Sequence, residues 1–212
     1  MDVTQFKQFP LMGIIRGVEK NVIEPLTETV ISSGLRTVEI TMNTHDASGL
    51  IRQMVKAADG GITVGAGTVL SLEDLKAALD AGATFIVLPT FVPAVVEYCV
   101  SNAIPVFPGA LTPQEIFNAW SEGATMVKVF PAGLFGPEYF KEIKGPLAEI
   151  ELLACGGVNS GNIRTFFECG ASAVAFGGSV FRQDWLQKRE FSRIGKCVEE
   201  LIGGFEFLKK SS

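Results

Sequence analysis

A lysine stands in the middle of an apolar run, Met126-Val127-Lys128-Val129-Phe130-Pro131-Ala132. Lysine is almost never fully buried without a partner, and burial disfavours the charged form of an amine. A neutral amine is a nucleophile that condenses with carbonyls to give Schiff bases. The plainer alternative is an edge-strand lysine whose stem packs while its head reaches water. Two more charges fall in apolar runs, Arg16 after Met12–Ile15 and Glu39 within Thr37–Thr41. In separate strands of a closed barrel, three inward-pointing charges would converge on one cavity, and each would need a counter-charge. A buried ion network of Arg16 with Glu39 would pin the barrel but leave Lys128 in excess; an anionic ligand would balance that excess.

Two glycine runs suggest where such an anion would lie. Gly156-Gly157 and Gly177-Gly178-Ser179 each follow a strand-like run. Bare backbone N–H groups after the last two strands of a barrel commonly hold phosphate. Tight-turn glycine is the alternative for each run. No basic cluster accompanies them, so the expected donors are the backbone and Ser179.

The elements that must position these residues alternate along the chain. Strand-like runs are Met12–Ile15, Thr37–Thr41, Ile62–Gly65, Phe85–Leu88, Ile104–Phe107, Met126–Phe130, Glu151–Ala154 and Ala173–Phe176. They are short and apolar, as strands covered on both faces are. Helical patterns fill the gaps at Glu24–Ser33, Ala47–Ala57, Leu72–Ala81, Pro93–Ser101, Pro113–Ser121, Pro137–Lys144 and Gly161–Cys169, and Asp184–Leu208 closes the chain. Ser71-Leu72-Glu73-Asp74 and Thr112-Pro113-Gln114-Glu115 carry capping signals. Glycines at 34, 82, 123 and 170, spaced 41 to 48 residues apart, suit helix ends that turn into the next strand. Eight strand–helix units of similar size imply an α/β fold, a single (β/α)8 TIM barrel, rather than an open doubly wound sheet. Residues 1–212 then form one domain, with residues 1–10 capping the lower end of the barrel and residues 184–212 a C-terminal helix on its exterior.

Composition narrows the function. Hydrophobic residues make up 47% of 212 and the net charge is −5 without a basic stripe, which argues against nucleic acid as a partner. No apolar run is long enough for a membrane span, and Met1-Asp2-Val3-Thr4-Gln5 lacks a secretory pattern. Cys99, Cys155, Cys169 and Cys197 are far apart, which reads as reduced and cytoplasmic. His45 is the one histidine, so an imidazole metal site or a Ser-His-Asp triad is disfavoured. It stands near a helix start, or else at the pocket rim.

Six motifs, in order, carry a resemblance that covers nearly the whole chain. They are Ile14-Ile15-Arg16, Val38-Glu39-Ile40-Thr41, Val64-Gly65-Ala66-Gly67-Thr68-Val69, Val127-Lys128-Val129-Phe130-Pro131-Ala132, Gly156-Gly157-Val158 and Gly177-Gly178-Ser179. Together they resemble the class I 2-keto-3-deoxy-6-phosphogluconate / 4-hydroxy-2-oxoglutarate aldolases, which are homotrimeric barrels. The resemblance implies Lys128 as the Schiff-base lysine and Glu39 as the acid–base residue. It implies Arg16 and Thr68 at the substrate carboxylate, and Pro89 and Phe130 as pocket walls. It implies a 2-keto acid substrate, pyruvate as product, and no cofactor or metal. Cys155 stands where many members have threonine, and Met42-Asn43 where many carry a basic residue. Both departures resemble a galactonate-phosphate branch. An isomerase or decarboxylase barrel binding the same phosphate, or a sugar-acid sensor without turnover, are the rival readings.

Overall fold

The computed structural model describes residues 1–211; Ser212, the last residue of the expected terminal helix, lies outside them. Strands β1 (Leu11–Ile15), β2 (Thr37–Thr41), β3 (Thr63–Gly67), β4 (Ile86–Val87), β5 (Val106–Phe107), β6 (Gly109–Ala110), β7 (Val127–Val129), β8 (Leu152–Cys155) and β9 (Ala173–Phe176) form one parallel sheet. Its order is β5-β4-β3-β2-β1-β9-β8-β7-β6. The two ends of that order, β5 and β6, are one stretch of chain split at Pro108, so the sheet closes on itself. Proline has no N–H to give the ladder, but its carbonyl accepts from Lys128 N at 2.9 Å, while Phe107 O accepts from Leu88 N on the other side. The ring is thus an eight-stranded (β/α)8 barrel whose fifth strand serves β4 with one half and β7 with the other.

Helices α2 (Ile23–Ser32), α3 (Ala47–Ala58), α4 (Leu72–Asp80), α5 (Pro93–Ser101), α6 (Pro113–Ser121), α7 (Glu138–Lys144) and α8 (Ile163–Glu168) follow the strands in turn. Thr112 and Glu115 make the capping box at α6, and Ser71 caps α4 by accepting from Asp74 N. Glycines 34, 82, 123 and 170 all take positive φ, between 86° and 98°, at the ends of their helices. The expected closing helix is two. Gln183–Gln187 (α9) ends where Arg189 turns left-handed at φ 56°, with Glu190 N bonded back to Trp185 O, and Phe191–Ser211 (α10) starts afresh. A non-glycine residue in that region stops a helix.

Side chains alternate between two cores, as the period-2 geometry of strands demands. Outward residues such as Leu11, Val38, Val64, Val127 and Leu152 pack under the helices. Inward residues Met12, Phe85, Val87, Phe107, Met126, Leu153, Ala173 and Ala175 fill the barrel. A short N-terminal helix, α1 (Val3–Gln8), is capped by Asp2 and places Phe6 into this inner core, edge-on to Phe107 at 5.7 Å.

Candidate active site

Above the inner apolar layer the same alternation puts polar groups inside. Glu39 of β2 and Lys128 of β7 are 1% and 5% exposed. Glycines stand beside both. A Cβ on Gly67 would stand 2.5 Å from the Glu39 carboxyl carbon. Gly109, in register with Lys128, lies so close to Pro89 that a Cβ would meet its carbonyl at 2.2 Å. Gly67 thus leaves space for the Glu39 carboxyl, and Gly109 allows the close approach of the Pro89 backbone, while β3 runs two residues beyond its expected end at Gly65.

A cavity of about 740 Å³ opens from this level at the C-terminal ends of the strands. Nine of the ten residues singled out in the sequence line it: Arg16, Glu39, Pro89, Lys128, Phe130, Gly156, Gly157, Gly178 and Ser179. Thr68 is not among the lining residues; it begins the loop after β3 in a left-handed conformation, φ 55°. His45 is exposed in the turn before α3 and is likewise not in the lining. Lys128 Nζ lies 5.2 Å from the Phe130 ring centroid. Glu39 has one carboxyl oxygen, Oε2, buried with no hydrogen-bond partner. Burial raises the Glu39 pKa, and the charges of Lys128 and Arg16 partly offset that. Burial also pushes the Cys155 thiol up, while the Lys128 charge and a hydrogen bond from it pull the other way.

The alternative reading of these charges, a buried ion network of Arg16 with Glu39, is not formed. No salt bridge among the described residues joins Arg16, Glu39 and Lys128. The reason lies in β1, which ends at Ile15, so that Arg16 is exposed in the following turn. That turn is held by Gly17 N bonding to Thr44 Oγ1 at 3.0 Å and by Gln183 Nε2 bonding to Arg16 O.

Gly156 and Gly157 take φ of 92° and 84°, so the turn reading holds for both, yet their backbone also faces the cavity. Gly178 has an ordinary φ and nothing within 4 Å of a Cβ, so no local packing calls for glycine there. Ser179 Oγ donates to Val158 O at 2.8 Å, tying the loop after β9 to the loop after β8. Beside the expected backbone donors and Ser179, Arg182 also lines the cavity with Gln183 and Asp184, a single basic group rather than a cluster. Charged residues in an aperiodic loop give no periodicity signal; the closeness of Arg182 to Ser179 in sequence was the available hint. Among the described residues, no three His, Cys, Asp or Glu side chains gather as metal ligands would.

A closed parallel barrel whose mouth gathers an amine, an unpaired carboxyl and bare glycine backbone has the form of a barrel enzyme. The chain matches the family described as "Aldolase: KDPG and KHG aldolase" over residues 3–197. It is 32% identical over 174 residues to the probable 2-dehydro-3-deoxy-6-phosphogalactonate aldolase of Rhizobium meliloti (strain 1021), covering 82% of each chain. It is 31% identical over 202 residues to the 2-dehydro-3-deoxy-phosphogluconate aldolase of Haemophilus influenzae (strain ATCC 51907 / DSM 11121 / KW20 / Rd), covering 94% of each. The solved "Native KDPGal structure" superposes with a TM-score of 0.88 at 29% identity, covering 95% of this chain and 96% of that one. The chain belongs to the KDPG and KHG aldolase family and is an aldolase, a carbon–carbon lyase.

Proposed function

We propose that this protein is a Schiff-base aldolase that cleaves a 2-keto-3-deoxy-6-phospho sugar acid to pyruvate and glyceraldehyde 3-phosphate. By the same chemistry it would convert 4-hydroxy-2-oxoglutarate to pyruvate and glyoxylate. The carrying observation is the pair of buried groups in one cavity: an amine with no carboxylate partner and a carboxyl with an orphaned oxygen. Each lacks what the substrate supplies, a carbonyl carbon for Lys128 and a hydroxyl proton for Glu39.

The free amine of Lys128 adds to the C2 ketone, and loss of water leaves an iminium that accepts electrons. Glu39, directly or through one water, takes the proton of the C4 hydroxyl. The C3–C4 bond breaks and its electron pair passes into the iminium as an enamine, releasing the aldehyde. Glu39, now protonated, returns the proton to C3, and water hydrolyses the iminium to free pyruvate and Lys128. Its raised pKa suits a group that must take and give one proton in each cycle. Arg16 grips the carboxylate with its guanidinium fork, with Thr68 assigned there by the family resemblance. Pro89 and Phe130 form walls. Phosphate lies on the backbone of Gly156, Gly157 and Gly178, with Ser179 exchanging its bond to Val158 for one to phosphate.

The galactonate-derived phosphate is the second reading. It is favoured by Cys155, which has no hydroxyl at the floor of the cavity, and by the relatives that carry the galactonate name. The same proposal takes residues 1–212 as one domain and the protein as a cytoplasmic homotrimer. Support for self-association comes from Leu134 and Phe135, which are 76% and 56% exposed on the loop after β7. Among the described residues no helix is long and apolar enough to cross a membrane.

Borohydride with pyruvate is expected to trap an adduct on Lys128 and on no other lysine, read by peptide mass mapping. Trapping elsewhere, or none, removes the mechanism. Cleavage assays with both phosphorylated acids and 4-hydroxy-2-oxoglutarate side by side then rank the substrates.

A further inference from the structure

Arg16, Lys128 and Arg182 are the cations lining the cavity among the described residues, against the carboxylates Glu39 and Asp184. The mechanism employs all of these but the Arg182–Asp184 pair. Arg182 Nε donates to Asp184 Oδ1 at 3.0 Å and Nη2 donates to Oδ2 at 3.2 Å, a parallel fork. The guanidinium carbon also lies 5.0 Å from the Trp185 ring centroid, which steadies its position. Both side chains are about half exposed, at 50% and 48%. A pair so exposed contributes little and exchanges easily. A bare carboxylate beside an anion site would repel the anion; pairing with Arg182 cancels that charge and keeps the guanidinium at the cavity.

We infer that Arg182 determines specificity for a phosphate monoester, exchanging Asp184 for the phosphate that lies on the glycine backbone. The inference rests on the aldolase reading for its substrate. A guanidinium fork fits phosphate as well as it fits carboxylate, and a dianion outcompetes a singly charged side chain. An unphosphorylated keto acid offers nothing to draw Arg182 off Asp184. The pair therefore acts as a charge selector in the same cavity as Lys128, with Asp184 holding Arg182 in place until phosphate arrives.

The test compares kcat/KM for a 6-phospho keto-deoxy acid with that for 4-hydroxy-2-oxoglutarate, and measures inorganic phosphate binding by calorimetry. Arg182→Ala is expected to lower the phosphorylated-to-unphosphorylated ratio about tenfold and to weaken inorganic phosphate by a similar factor. Arg182→Lys, which keeps the charge and loses the fork, falls between. Asp184→Asn removes the competitor and raises the ratio. Equal losses on both substrates, or unchanged phosphate binding in Arg182→Ala, overturn the inference. If the unaltered protein cleaves neither acid but binds inorganic phosphate through Arg182, the aldolase reading falls and the assignment of Arg182 stands.

Discussion

Glu39 is the residue whose environment most constrains the chemistry. Its folded-state pKa is raised above the ordinary 4.5 because burial penalises the anion more than Lys128 and Arg16 relieve it. The acid limb of the kcat/KM profile should therefore lie above the usual glutamate range. The same shift has a sign for stability. A carboxyl that holds its proton more tightly when folded imposes no penalty below its unfolded pKa. The penalty grows as pH rises toward the folded pKa and stays in full above it. Glu39→Gln is expected to slow cleavage about a hundredfold or more. Its melting temperature should gain on that of the parent as pH is raised from about 4 to about 8. A gain that is flat with pH would refute the assignment. Glu39 and Lys128 were legible in the sequence because a charge in an apolar, strand-length run is anomalous on its face. Arg16 looked equally anomalous, but a strand end cannot be fixed to one residue from composition, and one residue separates a buried charge from an exposed one. Arg182 gave no such signal, since a charge in a polar loop is ordinary.

At the scale of elements, the loops after β8 and β9 do different things with the same residue type. Gly157 needs its glycine for the fold: its φ is 84° and a Cβ would meet Gly133 Cα at 2.9 Å. Gly178 has neither constraint, so its lack of a side chain matters only when something approaches the backbone. Gly178→Ala is expected to leave the melting temperature within about 2 °C while raising KM for the phosphorylated acid severalfold. Gly157→Ala should lower the melting temperature by several degrees, by about 1–2 kcal/mol of left-handed strain. If Gly178→Ala cleaves the phosphorylated acid as well as the parent does, the phosphate does not lie there. Helix positions were legible because caps and terminal glycines are local chemistry, as Thr112 with Glu115 and Gly123 show. The split of the fifth strand at Pro108 and the break at Arg189 were not. The first depends on which neighbour each half pairs with, and the second on an arginine in a conformation that glycine usually takes.

For the whole molecule, eight alternating units were enough to indicate a closed barrel, because short strands buried on both faces need helices outside and one another inside. What alternation alone could not reveal is that the barrel carries two separate cores. The outer one is built largely from each strand and the helix beside it. The inner one draws Phe6, Met12, Phe85, Phe107, Met126, Leu153 and Ala173 from the length of the chain, and no short segment contains it. Contacts between residues far apart in sequence form slowly, because the loop entropy is lost before they form. On dilution from denaturant, helical circular dichroism is expected to recover ahead of the borohydride-trappable lysine; simultaneous recovery would argue against this order. The floor under Lys128 and Glu39 would then be among the last parts of the molecule to exist. A refolding or newly made chain would pass through an interval in which it is compact, helical and chemically silent.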